Sequence, residues 1–319
     1  VRERAARTRA IMIEIFFKTL PFFALIALGY WAGRTKFFSE EATAYLTKFV
    51  FYFALSAMLF SFSANLSFDD IWDPNLVLGY LLGTVVIYLV ATGVAMLRGM
   101  DVPTTAVEAQ CAVIGNVGFL GIPMLALLLG TPAVGVIMMA LAVDLIVFSS
   151  LIVILITGSR DGRFSLGVLR TVGLGLIKNP MIVSVIAGLT WSALEIPIPV
   201  PMNDFLSILG AAATPGALFA IGASLAPKSA ERLHIAGWLS FCKLVLHPAA
   251  VAVGVLYVFP VDPYTAAVII AASALPVAGN VYILAQHYGV APQRVSASIL
   301  VSTVISIFSV SFVIGLVAP

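Results

Sequence analysis

Charge is what this sequence has least of. Asp, Glu, Lys and Arg make up 10% of its 319 residues, where a soluble domain carries about 25% to keep its surface solvated. That scarcity excludes a soluble globular protein. Histidine is rarer still: His234, His247 and His287 are the three in the chain, too scattered to suggest a metal centre. The two cysteines, Cys111 and Cys242, fall inside apolar stretches. They read as small buried hydrophobes, with neither a disulfide framework nor metal-ligand spacing. No Walker sequence occurs, so ATP-driven work would need a separate subunit, and no catalytic constellation suggests an enzyme. The net charge of +2 comes without a clustered, aromatic-interleaved basic face, so no nucleic-acid partner is expected.

What is there is apolar: 61% of residues are hydrophobic and the mean hydropathy is +1.10. A membrane-crossing helix needs about 20 largely apolar residues. Ten stretches qualify, at 12–33, 43–63, 76–97, 105–129, 132–156, 178–194, 202–225, 235–258, 263–287 and 295–317. Turn chemistry separates them, as in Asp73-Pro74-Asn75, Gly130-Thr131-Pro132 and Val261-Asp262-Pro263. Residues 1–11, with Arg2, Arg4, Arg7 and Arg9, are taken as an N-terminal extension. The first five spans (12–157) and the last five (178–319) form two groups, joined by a connection over 158–177 whose second half suits a short interfacial helix. An odd number of spans per group requires the groups to be inverted relative to one another.

The organising stretch is Gly115-Asn116-Val117-Gly118-Phe119-Leu120-Gly121-Ile122-Pro123 in span four. Its glycines lower helix propensity, and a proline removes a backbone donor. Gly279-Asn280-Val281, beside Pro276, repeats Gly115-Asn116-Val117 at an offset of 164 residues. Interrupted spans at corresponding positions of two halves point to a transporter's binding site. Pro123 and Pro276 are expected to break the helices, and Gly115, Gly118, Gly121 and Gly279 to let backbones cross closely.

Lys and Arg concentrate in the connections after odd-numbered spans, among them Arg34, Lys36, Arg98, Arg160, Arg163, Arg170, Lys228, Arg232 and Arg294. Those after even-numbered spans hold acids such as Asp69, Asp70, Asp73, Glu195 and Asp262. The bias predicts odd connections in the cytoplasm and both termini outside a cell (inner) membrane.

Six stretches together resemble the auxin efflux carrier family, which includes plant auxin carriers and bacterial malonate or malate carriers. They are Leu46 to Leu55, Gly115 to Pro123, Lys178-Asn179-Pro180-Met181-Ile182, Ala213 to Phe219, Leu246-His247-Pro248, and Ala274 to Gly289. Ser56 stands where the family usually has proline. The resemblance implies an all-α membrane protein of ten helices in a five-plus-five inverted repeat. Helices four and nine would be broken and crossing, a plan shared with bile acid:sodium symporters and NhaA-type antiporters. Spans three to five with eight to ten would hold the crossover; spans one, two, six and seven would be the scaffold.

Asn116 and Asn280 are the leading substrate-binding candidates, because an amide beside a broken helix grips a carboxylate without carrying charge. Each amide capping its own helix is the structural alternative. Tyr52, Ser56 and Thr214 are candidate cavity-lining residues. Asp144, the one acid read as lying well inside a span, suits a proton-coupling group or a structural acid, and both readings stay open. Lys243 and His247, four residues apart on span eight, share a helix face. They form either a cationic wall for an organic anion, or a snorkelling lysine and a histidine that satisfies a carbonyl. The hydroxyls Ser302, Thr303, Ser306, Ser309 and Ser311 are read as bonding backbone carbonyls or packing against helices, not as ligands.

The expected function is a secondary carrier or uniporter of small organic anions working by alternating access, without cofactor or metal. The expected partners are an organic acid and the lipid bilayer, with a homodimer left open. A sodium-coupled, bile-acid-like symporter is the alternative, although span nine offers Gln286 and no acid. A transporter-like receptor or channel is the alternative from another class.

Overall fold

The computed structural model describes residues 2–65, 72–161, 173–174, 177–227 and 233–317, with side chains from 13 onward. Most of the expected interfacial connection (162–172 and 175–176), the arginine side chains of the N-terminal tail, and Asp69, Asp70, Arg163, Arg170, Lys228 and Arg232 lie outside the described residues. Among the described residues the chain is all-helical and has no sheet. In chain order the helices are α1 (Arg2–Arg34), α2 (Glu40–Ala64), α3 (Pro74–Leu97), α4 (Val102–Val113), α5 (Val117–Leu129), α6 (Ala133–Arg160) and α7 (Pro180–Ala193). Then come α8 (Val200–Leu225), α9 (Leu233–Val258), α10 (Pro263–Ser273), α11 (Gly279–Tyr288) and α12 (Pro292–Val317). Seven are long and apolar enough to cross a bilayer: α1 (over Ile13–Arg34), α2, α3, α6, α8, α9 and α12; α5, α7 and α10 are shorter apolar helices. Large apolar side chains such as Leu97, Ile208 and Tyr257 are exposed. This is a multi-pass membrane protein.

Local sequence starts these helices. Asp73, Asp101, Asn179 and Asp262 each precede a helix with proline in its first turn, and each accepts a backbone N–H from that turn through its side chain. The acceptor satisfies a donor that the helix leaves free, and proline occupies a position whose N–H is not needed. Gly289 ends α11 in the left-handed conformation at φ +64°.

The chain divides into two compact units. The first comprises Val1–Pro21, Asp73–Val168 and Lys228–Pro319; the second comprises Phe22–Trp72 and Leu169–Pro227. The division follows the one expected between spans three to five with eight to ten and the rest, except that Val1–Pro21 groups with the first unit.

Within the first unit α3 packs on α9 at glycine contacts: a Cβ on Gly254 would lie 2.3 Å from Gly79 O. Backbones this close tolerate no side chain. The connections of this unit sort onto two ends. Arg98 and Arg294 both hold Glu108, and Arg160 donates to Tyr288 O. At the other set, Asn75 Nδ2 donates to Pro260 O at 3.3 Å and Tyr264 Oη to Leu129 O at 2.9 Å. Within the second unit α1 and α8 meet at Gly29 and Gly222, where an added Cβ would fall 2.1 Å from Phe219 O and 1.9 Å from Ile26 O.

Candidate functional site

The first unit contains two helix interruptions. After Val113 the backbone turns extended at Ile114 (φ −81°, ψ 112°), and helix resumes at Val117 with a π-turn over Val117–Gly121. The second interruption follows Ser273, and α11 begins at Gly279. The two lie against each other as a one-rung antiparallel pairing of Gly115 with Val277. Asn116 N donates to Pro276 O at 2.8 Å, and Ala278 N donates to Ile114 O at 3.0 Å. Val277 N donates to Ser302 Oγ of α12 at 3.1 Å. Backbone polar groups freed inside an apolar bundle need such partners.

The repeat in sequence is therefore not a repeat in backbone position. Gly115 faces Val277, not Gly279, and Asn116 precedes its helix while Asn280 is the second residue of its own. The two prolines also differ in place. Pro276 lies inside the second interruption, whereas Pro123 sits downstream of the first, in the opening turn of the α-helix that follows the π-turn. A missing N–H is harmless there.

Neither asparagine side chain caps its helix. Asn116 is buried, and Asn280 Oδ1 is buried with no hydrogen-bond partner. Gly121 is a close contact, with an added Cβ 2.7 Å from Leu275 Cδ1, and Gly118 is buried. Gly279 departs from the close crossing expected of it: an added Cβ there meets nothing within 4 Å.

Next to the interruptions is a buried row of polar groups. Lys243 is 0% exposed, so it does not snorkel; its Nζ donates to Ser273 O, the last residue of α10, and lies 3.2 Å from His247 Nδ1. An added Cβ on Gly115 would also lie 3.2 Å from Lys243 Nζ. One ammonium thus touches both interruptions, and a cation suits the negative carbonyl end of α10. Thr84 Oγ1 donates to Tyr80 O at 2.7 Å, so toward His247 Nε2, 3.0 Å away, it is an acceptor. A hydroxyl has one hydrogen, which places an imidazole proton on Nε2; Nδ1 lies 3.2 Å from Lys243 Nζ and 3.3 Å from Ser273 O, the carbonyl that the ammonium also holds. Tyr80 Oη donates to Asp144 Oδ1 at 2.8 Å, and Asp144 Oδ2 is buried without a partner. Asp144 and Lys243 both lie in π-turns, Asp144–Phe148 and Cys242–Leu246. Such widened turns recur at functional sites.

The other candidates sit in the second unit. Tyr52 is exposed, with its ring edge-on to Phe51, and Thr214 is half-buried. The Ser56 hydroxyl donates to Phe51 O, five residues back across the π-turn Val50–Ala54. Ser149 does the same for Asp144 O.

Sequence reasoning missed two residues. Asp144 is not the one deeply buried acid: Glu108 is 0% exposed, each carboxylate oxygen taken by a different arginine. Ser302 donates to Ile299 O, as expected of the span-ten hydroxyls, but it also accepts Val277 N from the second interruption. No local pattern marks either, since Arg98, Arg294 and Val277 all come from outside the helix that carries the residue they bond. Among the described residues no group of His, Cys, Asp and Glu could hold a metal ion.

Residues 14–314 match the model of the family described as Membrane transport protein. A protein of Rhizobium meliloti (strain 1021) named "Putative malonate transporter" is 28% identical over 313 residues, covering 96% of this chain and 97% of that protein. The apolar helices, the paired interruptions and a family match over almost the whole length agree: the chain belongs to the membrane transport protein family of the auxin efflux carriers, and is a transporter and not an enzyme.

Proposed function

We propose that the protein is a carrier of small organic anions that works by alternating access. One observation carries this reading: the two interruptions meet inside the first unit, and beside them Asn280 Oδ1 is buried without a partner. The half-helices α5 and α11 begin there, and helix N-termini offer free N–H groups and a partial positive charge to a carboxylate. Asn116 and Asn280 would supply amide contacts, with Gly115 and Gly279 leaving room. The name of the bacterial relative makes malonate the first acid to test.

In this reading the interrupted pairs α4–α5 and α10–α11 each count as one span, giving ten in two inverted groups of five. On the same reading the compact first unit carries the substrate site. The sorting of connections within the first unit supports odd-numbered ones at one membrane face and even-numbered ones at the other, and the Lys and Arg bias is what puts both termini outside. For coupling, the unpartnered Asp144 Oδ2 favours a proton, whereas Gln286, the one side chain offered for sodium in span nine, is exposed on α11.

Counterflow tests the reading. Proteoliposomes preloaded with malonate should take up labelled malonate faster than empty ones. Asn116→Ala should slow that uptake about ten-fold or more, because a hydrogen bond to a charged group is worth roughly 1.5–3 kcal/mol. No trans-stimulation with mono- and dicarboxylates and indole acids alike would favour a receptor or channel instead.

A further inference from the structure

We propose that Glu108 is a positioning residue of the transport core: it grips Arg98 and Arg294 together and so fixes the two helix interruptions relative to each other. This rests on the carrier reading for its role in transport, but the geometry stands by itself. Glu108 is in α4, the helix that ends in the first interruption. Its Oε2 accepts from Arg98, just past the end of α3, and its Oε1 accepts from Arg294, in the first turn of α12. The Glu108 side chain is 1% exposed, against 13% for Arg294 and 31% for Arg98. Burial of this depth makes the carboxylate dependent on both partners, since a buried charge stripped of its partner costs far more than an exposed one.

The same two helices hold the interruptions. From Glu108 to Ile114 is about 9 Å along a helix, and from Arg294 to Ser302 about 12 Å, at a rise of about 1.5 Å per residue. At those upper points α4 hands Ile114 O to Ala278 N, and α12 hands Ser302 Oγ to Val277 N. The frame therefore has two rungs, an ionic one at Glu108 and a hydrogen-bonded one at the junction. Arg294 also donates to Met100 Sδ in the α3–α4 connection, which adds a second tie at the lower rung. With the lower rung loosened, α4 and α12 are tied only at the junction, by two backbone bonds, the Ser302 hydroxyl and the Lys243 ammonium, so the two interruptions are freer to shift.

The test uses the full chain and two readouts. In proteoliposomes, Glu108→Gln, which keeps the shape and removes the charge, should raise the half-saturating malonate concentration about ten-fold while the protein elutes as the wild type does. Glu108→Arg should abolish counterflow, and adding Arg294→Glu should restore it at least in part. Independently of any substrate, hydrogen–deuterium exchange in peptides covering 114–120 and 274–281 should accelerate in Glu108→Gln, with peptides covering 213–225 unchanged. Wild-type half-saturation and unchanged exchange at the junction in Glu108→Gln would overturn the proposal. Wild-type protein that carries no organic acid, yet shows the exchange change in the variant, would refute the carrier reading and leave the frame standing.

Discussion

At the scale of single residues, the first unit resolves a problem that the hydrophobic sequence only poses: where to keep the few charges it buries. Glu108 is held by two guanidinium groups, and Lys243 by a helix-end carbonyl and an imidazole. Asp144 is held on one side only, by the Tyr80 hydroxyl. A half-satisfied buried carboxyl is the natural place for a proton to come and go. Under an inward proton gradient the wild type should accumulate malonate; Asp144→Asn should keep counterflow and lose accumulation. Gradient-driven accumulation that survives in Asp144→Asn would assign this carboxyl a structural role.

At the scale of elements, helix starts were the most legible feature of the sequence, because a cap and a proline act within one turn. Asp262 shows the physics. Burial alone would push its carboxyl up, but the Thr265 side chain and the backbone N–H groups of Thr265 and Tyr264 outweigh that and hold it below the ordinary carboxylate range. A depressed value means the charged cap stabilises α10 above the unfolded carboxylate pKa, about 3.9, and that this stability is lost as pH falls through the lower folded value. Asp262→Ala should therefore cost about 1 kcal/mol at pH 7. The gap in melting temperature between variant and wild type should close as the pH is lowered below about 4; a gap that does not change with pH would mean that the charge is not what caps α10. The interruptions were legible only as regions. Gly115 and Pro276 mark weak points, but which residues pair across them depends on how two distant helices meet.

At the scale of the whole molecule, the one-sided distribution of Lys and Arg predicts the orientation. With the buried Cys111 and Cys242 replaced by serine, an impermeant maleimide added to intact spheroplasts should label Asn75→Cys, while Lys36→Cys should react only after permeabilisation. The reverse pattern would invert the topology. Hydropathy, caps and charge bias are local or additive quantities, so the sequence by itself determined that this is a multi-spanning helical membrane protein, where its capped helices α3, α4, α7 and α10 begin to within three residues, and which two stretches resist being helix. Only the tertiary structure decided that Gly115 meets Val277 in place of its repeat partner Gly279, that Lys243 turns inward to both interruptions, and that Glu108 is bound to Arg294, 186 residues away. The physical reason is that a buried charge takes its meaning from the groups that close around it, and those come from helices that no window along the chain contains together.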